Sequence, residues 1–378
     1  MMRADRRTGG RAVGAMVLAL VSLTAGPAVR LTAQDSQYGI RGLGTPGRWE
    51  SVRARSTGGA FAPFDLTSPL MEASLADAGR LVAGAMEGAS YRRSELAGTA
   101  ASLRETRFPL MGLSGRVFGR LAVSGGFTTY LDRSWDVTIR DTVVLRGTPQ
   151  PYTDEIASDG GVADLRLAAA TRLRSWLAVG AGVHLLSGST RVSATRRFDD
   201  STSYQKLQQS DEVSYDGFGV SGSLLLDLTR ALRLAAWARS DDRLRARVGG
   251  AVTAETDLPT MIGGGVRLAP SPSARLAGAV AWRSWSRAGP GSFNTLSWSA
   301  GMEVGAGLGP FRLGVRGGQL PFGPGATAPT EFGIAAGTGR AFAEGRGIID
   351  FGVERLQRSG GGLEERVWTF LLGLTIRP

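Results

Sequence analysis

The sequence predicts an all-β protein, a transmembrane antiparallel β-barrel of about fourteen strands. Three observations predict it. Apolar residues alternate with small or charged ones over repeated segments of about ten residues. The connections between those segments alternate between short and long along the chain. No segment after the N-terminus approaches 18 uninterrupted apolar residues, so no helix is expected to span a membrane.

Composition sets the bounds. The 378 residues include 55 glycines, a single histidine and no cysteine. Glycine is at about twice its usual share, which disfavours long helices and suits closely approaching strands. Without cysteine there is no disulfide framework, thiol nucleophile or thiolate metal site. The formal net charge is +11, but the arginines are scattered through strand-like segments, with no basic cluster or recognition helix. Nucleic acid is therefore not an expected partner.

The chain opens with a basic stretch (Arg3, Arg6, Arg7, Arg11), an apolar run over residues 12–25 and a small-residue cleavage site at Leu31-Thr32-Ala33 before Gln34, with Ala28 as a second choice. This pattern predicts a secretory signal peptide over residues 1–33 and an exported mature chain.

Strands are expected at 80–91, 107–117, 120–131, 160–170, 176–191, 213–227 and 232–239. They continue at 260–269, 274–285, 295–305, 311–318, 331–339, 347–355 and 366–377. The connections at 118–119, 171–175, 228–231, 270–273, 306–310 and 340–346 are short. Those at 92–106, 132–159, 192–212, 240–259, 286–294, 319–330 and 356–365 are longer and polar. Barrels of the outer membrane keep this rhythm, whereas a Greek-key sandwich has no reason to.

A period of two puts each alternate set on its own side of the sheet. Around the Pro270-Ser271-Pro272 turn, Ile262, Gly264, Val266 and Leu268 share one face with Leu276, Gly278, Val280 and Trp282. Arg267, Arg275 and Arg283 fall on the other. The sets Leu177/Val179/Ala181/Val183/Leu185, Phe311/Leu313/Val315 and Trp368/Phe370/Leu372/Leu374/Ile376 are expected to face lipid. Trp282, Trp285, Trp298 and Trp368 lie toward strand ends, where interfacial girdles place aromatics. A charge facing mid-bilayer is costly, so His184, Arg166, Arg233, Arg239, Arg267, Arg275, Arg283, Arg312, Arg316, Asp164, Asp350 and Glu354 are assigned to the lumen.

Catalytic and cofactor signals are absent. Gly42-Leu43-Gly44-Thr45-Pro46-Gly47 matches G-x-G-x-x-G, but no strand precedes it and Pro46 suits no helix start. One histidine makes no metal cluster, and no nucleophile elbow accompanies it. The acidic pairs Asp199-Asp200, Asp211-Glu212 and Asp241-Asp242 are read as solvated loop charge. No enzyme activity, cofactor or metal is expected. The lumen arginines admit two readings: a network that satisfies the lumen, or a fork for a carboxylate ligand.

Several stretches resemble the FadL-like family of outer-membrane transporters for long-chain fatty acids and other hydrophobic compounds. Leu258-Pro259, the glycine-rich strand after it and Trp282-Arg283-Ser284-Trp285-Ser286 are similar to one of its patterns. So are Phe311-Arg312-Leu313-Gly314-Val315-Arg316, the closing stretch from Arg366 to Leu374, and Ser56-Thr57-Gly58-Gly59-Ala60-Phe61-Ala62 near the N-terminus. Ser68-Pro69-Leu70-Met71-Glu72-Ala73 stands where the family reads Asn-Pro-Ala, and the chain ends Ile376-Arg377-Pro378 and not on an aromatic.

The resemblance implies an N-terminal hatch over residues 34–78, a barrel over 79–378, outer-membrane lipid and the barrel assembly machinery as partners, and a hydrophobic small-molecule ligand. Phe61, Phe64, Leu66, Leu70, Met71 and Leu75 are candidates for apolar ligand contacts within the hatch. The implied function is passive uptake of long-chain fatty acids or other hydrophobic molecules. The alternative is a non-transporting barrel acting as a structural or secretion-associated scaffold.

Overall fold

A computed structural model describes residues 29–30, 36–40, 42–68, 70–79, 81–96, 99–305 and 309–377. Apart from Val29–Arg30, which bridges Ile139 and Thr138, the expected signal peptide lies outside the described residues.

Fourteen long antiparallel strands form the wall. They are β1 (Leu81–Leu96), β2 (Thr99–Phe118), β3 (Leu121–Asp132), β4 (Thr148–Arg174), β5 (Leu177–Phe198), β6 (Leu207–Asp227) and β7 (Leu232–Asp241), followed by β8 (Thr260–Ser271), β9 (Ala274–Arg283), β10 (Thr295–Val304), β11 (Phe311–Gln319), β12 (Thr330–Phe342), β13 (Gly347–Gly360) and β14 (Leu363–Ile376). Each pairs with its neighbours in sequence, and β14 pairs back onto β1, from Leu363↔Leu96 to Ile376↔Ala83. Closure leaves no unpaired edge, which is what a sheet in hydrocarbon requires.

The faces follow the period of two. Along β14 every residue from Leu363 to Ile376 alternates between buried and exposed. Phe370, Phe351, Phe332, Ile262, Leu313 and Val183 are exposed on the outside, while Arg312, Glu354, His184 and Asp164 are buried inside. A sandwich would bury the first set; here they form the lipid-facing band.

Three stretches expected as loops continue the sheet beyond the membrane band. Strand β4 has 27 residues and β5 has 22, about twice what a bilayer needs. Residues Trp135–Leu145 pair with the first half of β4, and a hairpin of Arg243–Val248 and Ala251–Asp257 leans on β6. Their polarity disguised them, because a strand surrounded by water needs no apolar face. Their tips are two-residue turns with positive φ at both positions, Arg146-Gly147 and Gly249-Gly250, the geometry that matches strand twist.

The described residues between 36 and 79 thread the lumen. At the long-loop end, the backbone N–H of Gln37 donates to Glu365 at 2.7 Å and the Tyr38 hydroxyl donates to the Leu363 carbonyl. At the short-turn end, Asp77 lies between Arg172 and Arg233. Between them a single helical turn, α1 (Val52–Arg55), is capped by Ser51, whose hydroxyl accepts from the Ala54 N–H at 3.2 Å.

Wall glycines let this segment approach. A Cβ on Gly180 would sit 2.5 Å from the Glu72 Cβ, and one on Gly314 would collide with the Thr57 backbone. Phe61, Phe64, Met71 and Leu75 pack against inward alanines of the wall together with Trp237 and Met261.

One aromatic assignment needs correction. Trp285 is not a girdle residue: it is buried in a cluster at the long-loop end, edge-on to Phe322 at 5.4 Å. Strand β9 ends at Arg283, and Trp285 opens a short 3-10 turn, so it escapes the period-two rule.

The face assignment is testable at Val183, which faces lipid on β5. Val183→Arg should lower stability against urea by about 2–4 kcal/mol near the midplane, whereas Val183→Leu should leave it nearly unchanged. Equal effects from the two would reverse the register.

Candidate functional site: the plugged lumen

The lumen is organised by buried carboxylates, each met by guanidinium groups. Glu354, 1% exposed, accepts from Arg48 at 2.7 Å and is ion-paired with Arg55. Arg53 forks onto Glu303 with both contacts at 2.9 Å. Glu303 also receives Arg312 and Arg275, each at 2.9 Å, and Arg312 continues to Asp350 at 2.6 Å. Glu331 bridges Arg316 at 2.5 Å and Arg358 at 2.7 Å.

Four expected lumen residues, Arg275, Arg312, Asp350 and Glu354, are therefore joined in networks completed by Arg48, Arg53 and Arg55 of the N-terminal segment. Those three arginines, with Glu303 and Glu331, were missed from sequence. Their signal was present: Glu303 and Glu331 have inward parity on their strands, and three arginines recur within eight residues of a segment otherwise poor in charge.

Glu72, at the departure from the family motif, is also 1% exposed. Its two oxygens accept from the Ser221 and Ser223 hydroxyls at 2.6 and 2.8 Å, and Arg166 lies at 3.4 Å. His184 extends this cluster. Its Nδ1 meets Asp164 at 2.9 Å and its Nε2 meets the Ser221 oxygen at 2.8 Å.

The order Asp164–His184–Ser221 has the spacing of a nucleophilic triad, but the Ser221 hydroxyl also donates to Glu72 at 2.6 Å, which ties it into the contacts between segment and wall.

Asp241 is a further correction. It was expected as solvated loop charge, but it is buried, accepting from Tyr130 at 2.8 Å and paired with Arg239 at 2.8 Å. It ends β7 still inside the barrel, because the sheet continues above it.

Arg233 is taken by Asp227 and Asp77. Arg267 lies over the Phe64 ring at 5.7 Å, and Arg283 over Trp49 at 6.0 Å.

A cavity of about 140 Å³ remains between the segment and the wall. Of the candidate ligand residues, Leu70 borders it; Phe61, Phe64, Met71 and Leu75 are consumed by packing. Its aromatic side is a stack of Trp49 on Tyr130, centroids 5.9 Å apart, with Arg239 4.9 and 5.0 Å from the two rings.

Leu66 borders a second gap, of about 30 Å³, together with Thr67, Gly84, Gly112, Gly125 and Gly126. On the outer side of the same glycines lies a depression of about 530 Å³, rimmed by Met111, Phe127, Leu165 and Leu374. Here the wall is one backbone thick.

The fold and its contents define a class: a fourteen-stranded transmembrane barrel threaded by its own N-terminal segment. This is the fold of the FadL-type barrels. A Pseudomonas aeruginosa FadL homologue superposes with a TM-score of 0.62 at 12% identity, over 88% of this chain and 99% of that one. The Pseudomonas putida toluene transporter TodX gives 0.59 at 12% identity, over 87% and 98%. The CymD monoaromatic hydrocarbon channel gives 0.55 at 14% identity, over 89% and 98%. No known family's sequence pattern matches the chain, and no curated protein matches it in sequence.

Two outcomes are expected from these contacts. Glu72→Ala leaves Arg166 buried without its carboxylate and should cost about 3–5 kcal/mol, read as earlier urea unfolding and new protease cleavage within residues 36–79. Intact protection would show that Glu72 does not anchor the segment.

The second outcome concerns pH. Burial opposes the charge on Glu50, but the Arg48 guanidinium, with Arg316 and Arg55 behind it, outweighs burial and holds the carboxyl below its ordinary range. A depressed carboxylate contributes stability that is complete above its unfolded value of 4.5 and is lost as pH falls through the lower folded value. The Tm difference between wild type and Glu50→Gln should therefore be constant at neutral pH and shrink only below that range.

Proposed function

We propose that this protein is an outer-membrane channel for passive uptake of compact hydrophobic molecules, with residues 34–78 as its plug and gate. The observation that carries this reading is the thin glycine wall at Gly84, Gly112, Gly125 and Gly126, with a gap on its inner side and an apolar depression on its outer side. A greasy solute cannot cross the polar outer leaflet unaided, but from the lumen it can pass sideways into lipid. Leu70 borders the central cavity and Leu66 and Thr67 border the wall gap, so a shift of this stretch would join them. Two of the similar structures, a toluene transporter and a monoaromatic hydrocarbon channel, agree with this reading.

Ligand size is the finer point. A central cavity of about 140 Å³ lies below the range of about 300–1,000 Å³ typical of pockets for drug-sized ligands. It therefore supports single-ring solutes over long-chain fatty acids.

The test is uptake of labelled toluene and labelled oleate by cells carrying wild type, Gly125→Leu or a deletion of residues 36–79. Toluene uptake should exceed oleate uptake and fall to background in Gly125→Leu, whose added side chain meets Leu167. The deletion should raise conductance in planar bilayers. No uptake by wild type would favour the scaffold reading, and uptake indifferent to Gly125→Leu would remove the lateral route.

A further inference from the structure

The central cavity is chemically unbalanced. Five arginines and three carboxylates line it: Arg48, Arg239, Arg283, Arg316 and Arg358 against Glu50, Asp241 and Glu331. Four of the arginines are matched. Arg48 pairs with Glu50 and Glu354, Arg239 with Asp241 and Asp164, and both Arg316 and Arg358 with Glu331.

Arg283 is different. Among the described residues, no carboxylate lies within 4.0 Å of its guanidinium; its contact is the Trp49 ring. Arg283 is partly buried in the lumen, where a cation without a carboxylate partner is less favourable than a paired one. Nearby donors are also in surplus: the Trp237 Nε1, Arg239 Nη2 and Arg316 Nη1 groups have no protein acceptor. Glu50 Oε2 also lacks a hydrogen bond, but it faces Arg48 Nε at 3.3 Å; the remaining surplus is of donors, which favours an acceptor carrying negative charge.

Size and shape restrict that acceptor further. The volume of about 140 Å³ is close to the roughly 150 Å³ cavity known to accommodate benzene. Trp49, Tyr130, Trp237 and Trp285 supply flat walls. A planar guanidinium matches a carboxylate through two parallel N–H donors, and an aromatic wall suits a ring.

We propose that the cavity is a binding subsite for a single-ring aromatic carboxylate, its carboxylate held by Arg283 and its ring lodged among the tryptophans. The proposal deepens the uptake reading by naming an anionic class of solute beside neutral ones. Selectivity would come from the charge, since a neutral ring gains the walls but not the fork.

The experiment uses the purified full chain in detergent, titrated with benzoate, toluene and oleate and followed by tryptophan fluorescence and calorimetry. Benzoate should bind saturably with one site per chain. Arg283→Gln should weaken benzoate by about tenfold or more, as expected for loss of a charge-assisted contact, while leaving toluene unchanged. Arg283→Lys keeps the charge without the fork and should fall between. Migration on unheated gels reports folding of each variant.

Should Arg283→Gln fail to fold, Ala279→Leu fills the cavity from the wall with every charge in place, and it should abolish benzoate binding. Absent benzoate binding, equal affinity in wild type and Arg283→Gln, or an equal loss for toluene, would each overturn the proposal. Oleate binding that competes with benzoate and depends equally on Arg283 would overturn the size argument and with it the single-ring class. Binding on purified protein is separate from uptake. Benzoate binding without uptake of any solute refutes only the channel, and toluene uptake without benzoate binding refutes only the subsite.

Discussion

The ladder between β14 and β1 is the contact on which the rest of this structure depends. In hydrocarbon an unpaired backbone N–H or C=O has no water to turn to, so a sheet survives only if its last strand bonds its first. Fourteen pairs, from Leu363↔Leu96 to Ile376↔Ala83, complete that ring. Once the ring is closed, every strand is obliged to alternate, apolar outward and polar or small inward. The exposed Phe370 and Phe351 and the buried Glu354 and Arg312 are two consequences of one constraint.

Closure at fourteen strands creates a second problem, because the ring is too wide for its own side chains to fill. The N-terminal segment fills it, and charge holds the segment there. Three buried carboxylates tie the segment to the wall: Glu354 of the wall meets Arg48 and Arg55 of the segment, Glu303 meets Arg53 of the segment beside Arg275 and Arg312 of the wall, and Glu72 of the segment meets Ser221, Ser223 and Arg166 of the wall. Leaving such a carboxylate without its partners is far more costly than never having it, so the network specifies position as well as adhesion. Apolar packing adds to it, but only because the facing wall is alanine and glycine. At Gly180 and Gly314 even a methyl group would hold the segment away.

The central cavity survives where these two kinds of contact do not meet. Above it the chain is tied to Glu365 and Leu363; below it Phe61, Met71 and Leu75 are packed. Between them, the Trp49–Tyr130 stack and the arginines around it keep the walls apart. An interior built from rigid rings and paired charges resists collapse in a way that aliphatic side chains do not.

The sequence by itself determined the wall. All fourteen strands were legible because alternation is a local property: a residue faces lipid or lumen according to its parity, and Leu313 beside Arg312 says so without reference to the rest of the chain. Even Glu303 and Glu331 could have been assigned inward by parity. Local reading failed where the backbone left that rule or where lipid no longer enforced it. Trp285 opens a 3-10 turn, and Trp135–Leu145 is a strand in water. Asp241 lies below a sheet that was expected to have ended. What the arginines do was decided only by the tertiary structure. Arg312, Arg316 and Arg283 look alike in sequence, each inward-facing on a strand. The first two meet carboxylates contributed by other strands, and Arg283 meets the ring of Trp49. That difference arises from where a closed barrel and a threaded segment bring distant residues together, and no periodicity along the chain encodes it.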